Sequence, residues 1–120
     1  MNIVITGASR GIGFELAKKF AKDTSNKVFA IARNKEKLER LAKDIKTENP
    51  DSDFFFKSFD LNSGNIQQIL LPCILEKIST IDILVNNAGF LVVRPFSELT
   101  DDDFDKTFSV NVKSVFKITR

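Results

Sequence analysis

The residues best able to hold a charged ligand are the three glycines of Thr6-Gly7-Ala8-Ser9-Arg10-Gly11-Ile12-Gly13. The stretch follows the apolar run Ile3-Val4-Ile5 and precedes an amphipathic run containing Leu16, Ala17, Phe20 and Ala21. It therefore reads as strand, glycine-rich turn and helix. Such a turn offers free backbone N–H groups and the positive end of a helix dipole, a seat for a pyrophosphate. In this reading Gly7 leaves the strand with a positive φ, Gly11 lets the backbone approach a phosphate, and Gly13 lets helix pack closely on strand. The spacing is G-x-x-x-G-x-G, not G-x-G-x-x-G. A glycine turn by itself also serves as a tight connection that binds nothing.

The elements around this turn alternate. Asn2 to Thr6 is a continuous apolar strand, as expected of one buried on both faces of a parallel sheet. The first helix is expected from about Gly11 to Lys22, with a turn over Asp23 to Asn26. Lys27 to Ala32 is a second buried strand. Asn34 then caps a helix whose Leu38, Leu41, Ala42 and Ile45 form one apolar stripe, opposite a solvated Lys/Glu face. Asn49-Pro50-Asp51 punctuates the chain, and Asp53 to Phe59 is a Phe-rich third strand. A third helix is expected from Ser63 to Ser79, with Ile66, Ile69, Leu70, Cys73, Ile74 and Ile78 inward and a bend or break at Pro72. Cys73 on that stripe reads as a small core residue. Ile81 to Asn86 is strand four.

The loop from Phe90 to Ser97 is either a plain connection or one wall of an apolar pocket. Thr100 caps the last helix, and Asp101, Asp102 and Asp103 favour its positive end. Three consecutive helical carboxylates diverge by about 100° each, so no metal site is expected. In that helix Phe104, Phe108, Val112, Val115 and Thr119 define the expected inward stripe, with Asn111 pointing inward among them. A buried amide left unpaired costs about 1–3 kcal/mol, so Asn111 must find a partner. Strands and helices in this alternation predict an α/β, doubly wound parallel sheet of order 3-2-1-4. Ligands bind at the carboxyl ends of strands one and four, where the order reverses. Both the glycine turn and Asn86-Asn87-Ala88-Gly89 fall there.

Composition narrows the classes further. The chain has 120 residues, 42% apolar and 28% charged, with a net charge of +2, which fits one soluble domain and gives no basic run for nucleic acid. No stretch reaches membrane-spanning length, and a strand beginning at residue 2 leaves no room for a signal peptide, so a cytoplasmic location is expected. One cysteine excludes an intrachain disulfide and a cysteine zinc site, and the absence of histidine removes Ser–His and Cys–His catalysis. Tyrosine is absent as well.

Thr6 to Gly13 resembles, nearly letter for letter, the TGxxxGIG motif of the short-chain dehydrogenase/reductase family, and Asn86-Asn87-Ala88-Gly89 is similar to its NNAG motif. The resemblance covers all 120 residues but about half of the family domain. It implies an incomplete Rossmann-like domain, cut within a helix, from an oxidoreductase that moves a hydride between NADP(H) and a small carbonyl or alcohol substrate. It implies cofactor contacts from Thr6, Gly7, Ser9, Arg10, Gly11, Ile12, Gly13, Arg33, Asn34, Asp60, Leu61, Asn87, Ala88 and Gly89. Ala32 stands where NAD-binding relatives place an acid, and Arg10 and Arg33 suit a 2′-phosphate, which favours NADP; two ordinary surface arginines are the alternative. Asp60 and Leu61 match an adenine-contacting pair, although Asp60 also suits a turn. Val110-Asn111-Val112 resembles the segment holding the catalytic Asn of an Asn-Ser-Tyr-Lys tetrad; otherwise Asn111 orders the core by bonding backbone. The tetrad's Ser, Tyr and Lys lie beyond Arg120 in relatives, so the chain alone is expected to be inactive. The resemblance implies a homo-oligomer for the full-length form, while the small net charge and the short apolar runs imply no nucleic acid and no membrane partner. A non-catalytic dinucleotide-binding module or an inactive fragment is the alternative reading.

Overall fold

A computed structural model describes all of residues 1–120. Four parallel strands form one sheet in the order β3-β2-β1-β4: β1 Asn2–Thr6, β2 Lys27–Ala32, β3 Asp53–Ser58 and β4 Ile83–Val85. This is the doubly wound order the alternation predicts. Side chains alternate across the pleat, so each central strand feeds two cores. Ile3, Ile5, Val28 and Ala30 pack with Ala17 and Ala21 of helix α1 (Gly11–Ala21) and Leu38, Leu41 and Ile45 of α2 (Lys35–Glu48). Val4, Phe29 and Ile31 face the other way, onto Leu61, Ile66, Leu70, Ile74, Ile78 and Ile118. Burial on both faces is why β1 and β2 are continuously apolar.

Asn34 caps α2 as expected, its side chain accepting from the Lys37 N–H at 2.9 Å. β4 is shorter than the Ile81–Asn86 run suggests. At its start the Asp82 carboxylate takes the Asn2 N–H at 2.7 Å, and at its end the Thr6 hydroxyl takes the Asn87 and Ala88 N–H groups. Those donors are thereby withdrawn from strand pairing.

The expected third helix is not one helix. A short 3-10 turn, Leu61–Ser63, leads to a wide π-type turn, Ile66–Leu70, and only then to α3, Leu71–Lys77. Pro72 has no N–H and its ring would crowd the carbonyl four residues back. The wide turn absorbs this, with the Leu71 N–H reaching back five residues to the Ile66 carbonyl. The change of pitch leaves Ile66, Leu70, Ile74 and Ile78 buried but turns Ile69 to solvent, 49% exposed. Cys73 is half-buried at the core margin beside the phenylalanines of β3.

The last segment contains α4 (Asp101–Phe108), a second π-type turn (Ser109–Lys113) and α5 (Ser114–Thr119). Here the expected inward stripe is reversed. Phe104, Phe108 and Val112 are 61%, 51% and 55% exposed, whereas Ser114 and Ile118 are buried. Lys117 Nζ donates to the Gly64 carbonyl at 2.9 Å and Ile118 joins the Ile66–Leu70 cluster, which fixes the face turned inward. Thr119 is exposed and Val115 half-buried. Periodicity found an apolar ridge, but a second set of residues makes the contact.

Candidate cofactor site

The glycine turn joins β1 to α1, and its backbone is what the residue types foretell. Gly7 has φ +70° and Gly11 φ +58°, conformations costly for any residue with a Cβ. A Cβ at Gly7 would lie 2.8 Å from the Ala88 backbone, whereas one at Gly11 would meet nothing within 4 Å. Gly11 therefore leaves its backbone open toward the cleft. Gly13 is buried, and a Cβ there would stand 2.5 Å from both Asn87 Nδ2 and the Gly7 carbonyl. Close packing at Gly13 thus involves Asn87 as well as the strand end.

The other wall is the Asn87–Gly89 segment after β4. Asn87 Nδ2 donates to the Thr6 and Gly7 carbonyls, both at 3.1 Å. The Thr6 hydroxyl accepts from the Asn87 and Ala88 N–H groups at 3.1 and 3.0 Å and donates to the Val85 carbonyl at 3.3 Å. These bonds tie the ends of β1 and β4 together at the switch point. Thr6 is 2% exposed with its hydroxyl spent inside the fold, so it shapes the site and does not face it.

Between these walls lies a cleft of about 420 Å³. The turn (Gly7, Ser9 to Ile12), the end of β2 (Ile31 to Arg33), Phe59 to Leu61, and Asn87 to Phe90 with Val110 line it. Of the residues singled out in the sequence, Gly7, Ser9, Arg10, Gly11, Ile12, Arg33, Asp60, Leu61, Asn87, Ala88 and Gly89 converge there. Gly13 and Asn34 do not line it; one packs beneath the turn and the other caps α2. Ile31, Phe59 and Val110 were not foreseen as site residues, whereas Phe90 opens the loop read from sequence as a plain connection or a pocket wall.

The electrostatics favour an anion. The N-terminus of α1 carries no side-chain cap, unlike α2 and α4, so its first N–H groups lack a side-chain acceptor. Arg10 and Arg33 are exposed and form no ion pair or side-chain hydrogen bond. Asp60, the carboxylate of the cleft, accepts from the Asn62 N–H at 2.9 Å and so has the turn role as well as its place in the wall.

Asn111 is not buried. Its carboxamide pairs with the Phe90 backbone in both directions: Oδ1 accepts from the Phe90 N–H and Nδ2 donates to the Phe90 carbonyl, each at 2.8 Å. The wide turn at Ser109–Lys113 contains this residue, and Lys106 Nζ sits 4.6 Å from the centre of the Phe90 ring. Of the apolar loop, Phe90 reaches the cleft, while Leu91, Val93 and Phe96 are 80–89% exposed. Thr100 and Asp103 cap α4 reciprocally. Hydrogen bonds from the Thr100 N–H and hydroxyl, then the Arg94 guanidinium, hold the Asp103 carboxyl below the usual carboxylate range. Asp103 is thereby committed to the cap. No helix is long and apolar enough to cross a membrane.

Comparison with known proteins agrees with this geometry. The family model for short chain dehydrogenases matches residues 1–120. L-2,3-butanediol dehydrogenase of Corynebacterium glutamicum is 33% identical over 94% of this chain and 43% of its own length. A variant of actinorhodin polyketide ketoreductase, solved with NADPH, superimposes with TM-score 0.88 at 29% identity, over 98% of this chain and 44% of that one. L-Sorbose reductase of Gluconobacter frateurii, solved with NADPH and L-sorbose, gives TM-score 0.89 at 25% identity, over 99% of this chain and 44% of that one. The chain thus spans less than half the length of these relatives. Because the family model spans the whole of residues 1–120, the chain belongs to the short chain dehydrogenases.

Proposed function

We propose that these residues form the cofactor-binding half of an NADP(H)-dependent oxidoreductase acting on a small carbonyl or alcohol substrate. The observation that carries the reading is the uncapped N-terminus of α1 facing a cleft with two unpaired arginines and an alanine, not an acid, at residue 32. The open space at Gly11 fits a phosphate, because nothing stands where a Cβ would point. The turn N–H groups would hold the pyrophosphate, and Arg10 and Arg33 the 2′-phosphate. Asp60 and Leu61 would border the adenine, and Ser9, Ile12 and Asn87 to Gly89 the rest of the cofactor. Thr6, Gly13 and Asn34 position these groups from behind.

When bound, NADP(H) supplies the hydride, and the protein supplies orientation and a proton. With its carboxamide spent on Phe90, Asn111 serves as a positioning residue of the catalytic set: it fixes the backbone of the cleft wall. The 120 residues hold neither tyrosine nor histidine, and the Asp60 carboxylate of the cleft is engaged by the Asn62 N–H, so this half is read as supplying no proton donor. The relatives' remaining length is where we place that donor and the substrate walls. The substrates these relatives are named for, a diol and a ketose, support the carbonyl/alcohol class.

Calorimetric titration with NADPH and NADH tests the reading. A bidentate Arg–phosphate contact is worth roughly 1.5–3 kcal/mol, so NADPH should bind more tightly by about that margin. Ala32→Asp with Arg33→Ala should reverse the order. Equal affinity for both cofactors would refute it. The chain should bind NADPH without consuming it when offered ketones or aldehydes; turnover at an enzymatic rate would show that the proton donor lies within these residues.

A further inference from the structure

The end of β2 is held more firmly than its place on an exposed turn requires. The Ala32 carbonyl accepts from the Phe59 N–H at 2.9 Å, continuing the β2–β3 register one step past the Ala32–Ser58 pair. One residue on, the Arg33 carbonyl accepts from the Ser58 hydroxyl at 2.8 Å. One further, the Asn34 side chain caps α2. Three consecutive residues are thus anchored, two of them to Ser58 and Phe59 at the end of β3 and just past it, while the Arg33 guanidinium has no partner within the protein. A fixed backbone beneath a free charged head is the arrangement that lowers the ordering cost of binding. Ordinary strand pairing would supply the Ala32 bond; the Arg33 bond exists only because residue 58 carries a hydroxyl.

We propose that Ser58 is a positioning residue for cofactor discrimination: its hydroxyl fixes the Arg33 backbone so that the guanidinium is presented to a 2′-phosphate. Ser58 touches no ligand in this role and acts through Arg33. The proposal rests on the NADP(H) reading above, and it extends that reading to a residue on a different strand, 25 positions from the arginine it serves.

The probes are 2′,5′-ADP and 5′-AMP, which differ at the 2′-phosphate and need only the adenosine half of the cleft. Calorimetry on the full chain compares the wild type with Ser58→Thr and Ser58→Val, two β-branched residues of nearly equal shape, one with a hydroxyl and one without. A neutral hydrogen bond of this kind corresponds to about a 3- to 10-fold effect. We expect Ser58→Thr to keep the preference for 2′,5′-ADP and Ser58→Val to lose about that factor, with 5′-AMP affinity equal in both. Melting temperatures of the two variants should agree within a few degrees, which separates lost positioning from lost folding. If the wild type prefers 2′,5′-ADP and the Val variant keeps the whole preference, the Ser58 proposal is overturned while the Arg33 reading stands. If the two variants lose affinity for both probes alike, the role is structural and the proposal is again overturned. If the wild type does not distinguish the probes, the Arg33 reading fails and takes the Ser58 proposal with it.

Discussion

Replacing Gly13 by Ala should destabilise the chain more than its helical position suggests. The added Cβ would lie 2.5 Å from Asn87 Nδ2 and from the Gly7 carbonyl. Asn87 can swing away, but its Nδ2 holds both the Thr6 and Gly7 carbonyls, each at 3.1 Å. Losing two neutral hydrogen bonds costs about 2 kcal/mol. The Gly7 carbonyl is backbone and cannot rotate aside, so overpacking adds about 1–3 kcal/mol. Ala is the better helix former by about 1 kcal/mol, which offsets part of this. The net expectation is a loss of about 2–4 kcal/mol, or about 8–16 °C in melting temperature at about 4 °C per kcal/mol for a chain of this size. Gly11→Ala is the control. Its Cβ meets nothing, so only the positive φ is strained, at about 1–2 kcal/mol. Thermal unfolding followed by circular dichroism compares the two. If Gly13→Ala melts at or above Gly11→Ala, the close contact between turn and Asn87 does not carry the packing assigned to it.

Asn111→Ala should free the Phe90 N–H and carbonyl, each of which loses a 2.8 Å partner. We expect faster amide exchange at Phe90 and a stability loss of about 1–2 kcal/mol, with water replacing part of the pairing; unchanged exchange would argue against the clamp. The α4 cap should depend on pH. Because Asp103 has a lowered folded-state pKa, its contribution is complete above the ordinary carboxylate pKa of the unfolded chain and is lost as pH falls through the lowered folded value. The Thr100 amide shift, followed by NMR, should titrate in that acid window, and Asp103→Asn should remove the titration.

The sequence by itself determined the order of the elements, the sheet topology and the location of the cleft. These follow from local facts: continuous apolar strands, glycines where the turn needs a positive φ, and Asn34 and Thr100 where helices need caps. Right-handed βαβ connections reduce the possible strand orders to a few, and the order the alternation predicts among them, 3-2-1-4, is the one observed. What only tertiary structure decided is which of several apolar faces finds a partner. Phe104, Phe108 and Val112 repeat at helical spacing as well as any buried stripe, yet the wide turn at Ser109–Lys113 and the docking of Ile118 and Lys117 turn a different face inward. Ile69 fails for the same reason, since a π-type turn beside Pro72 changes the pitch on which the periodicity depends. Asn111 shows the remaining gap. Its spacing suggested burial, yet it is exposed, and its partner, Phe90, lies 21 residues away. Spacing along one helix carries no information about a contact made across a loop. Ser58 and Arg33 are joined in the same way, by strands that sequence can order but whose side chains only the folded register brings within a hydrogen bond.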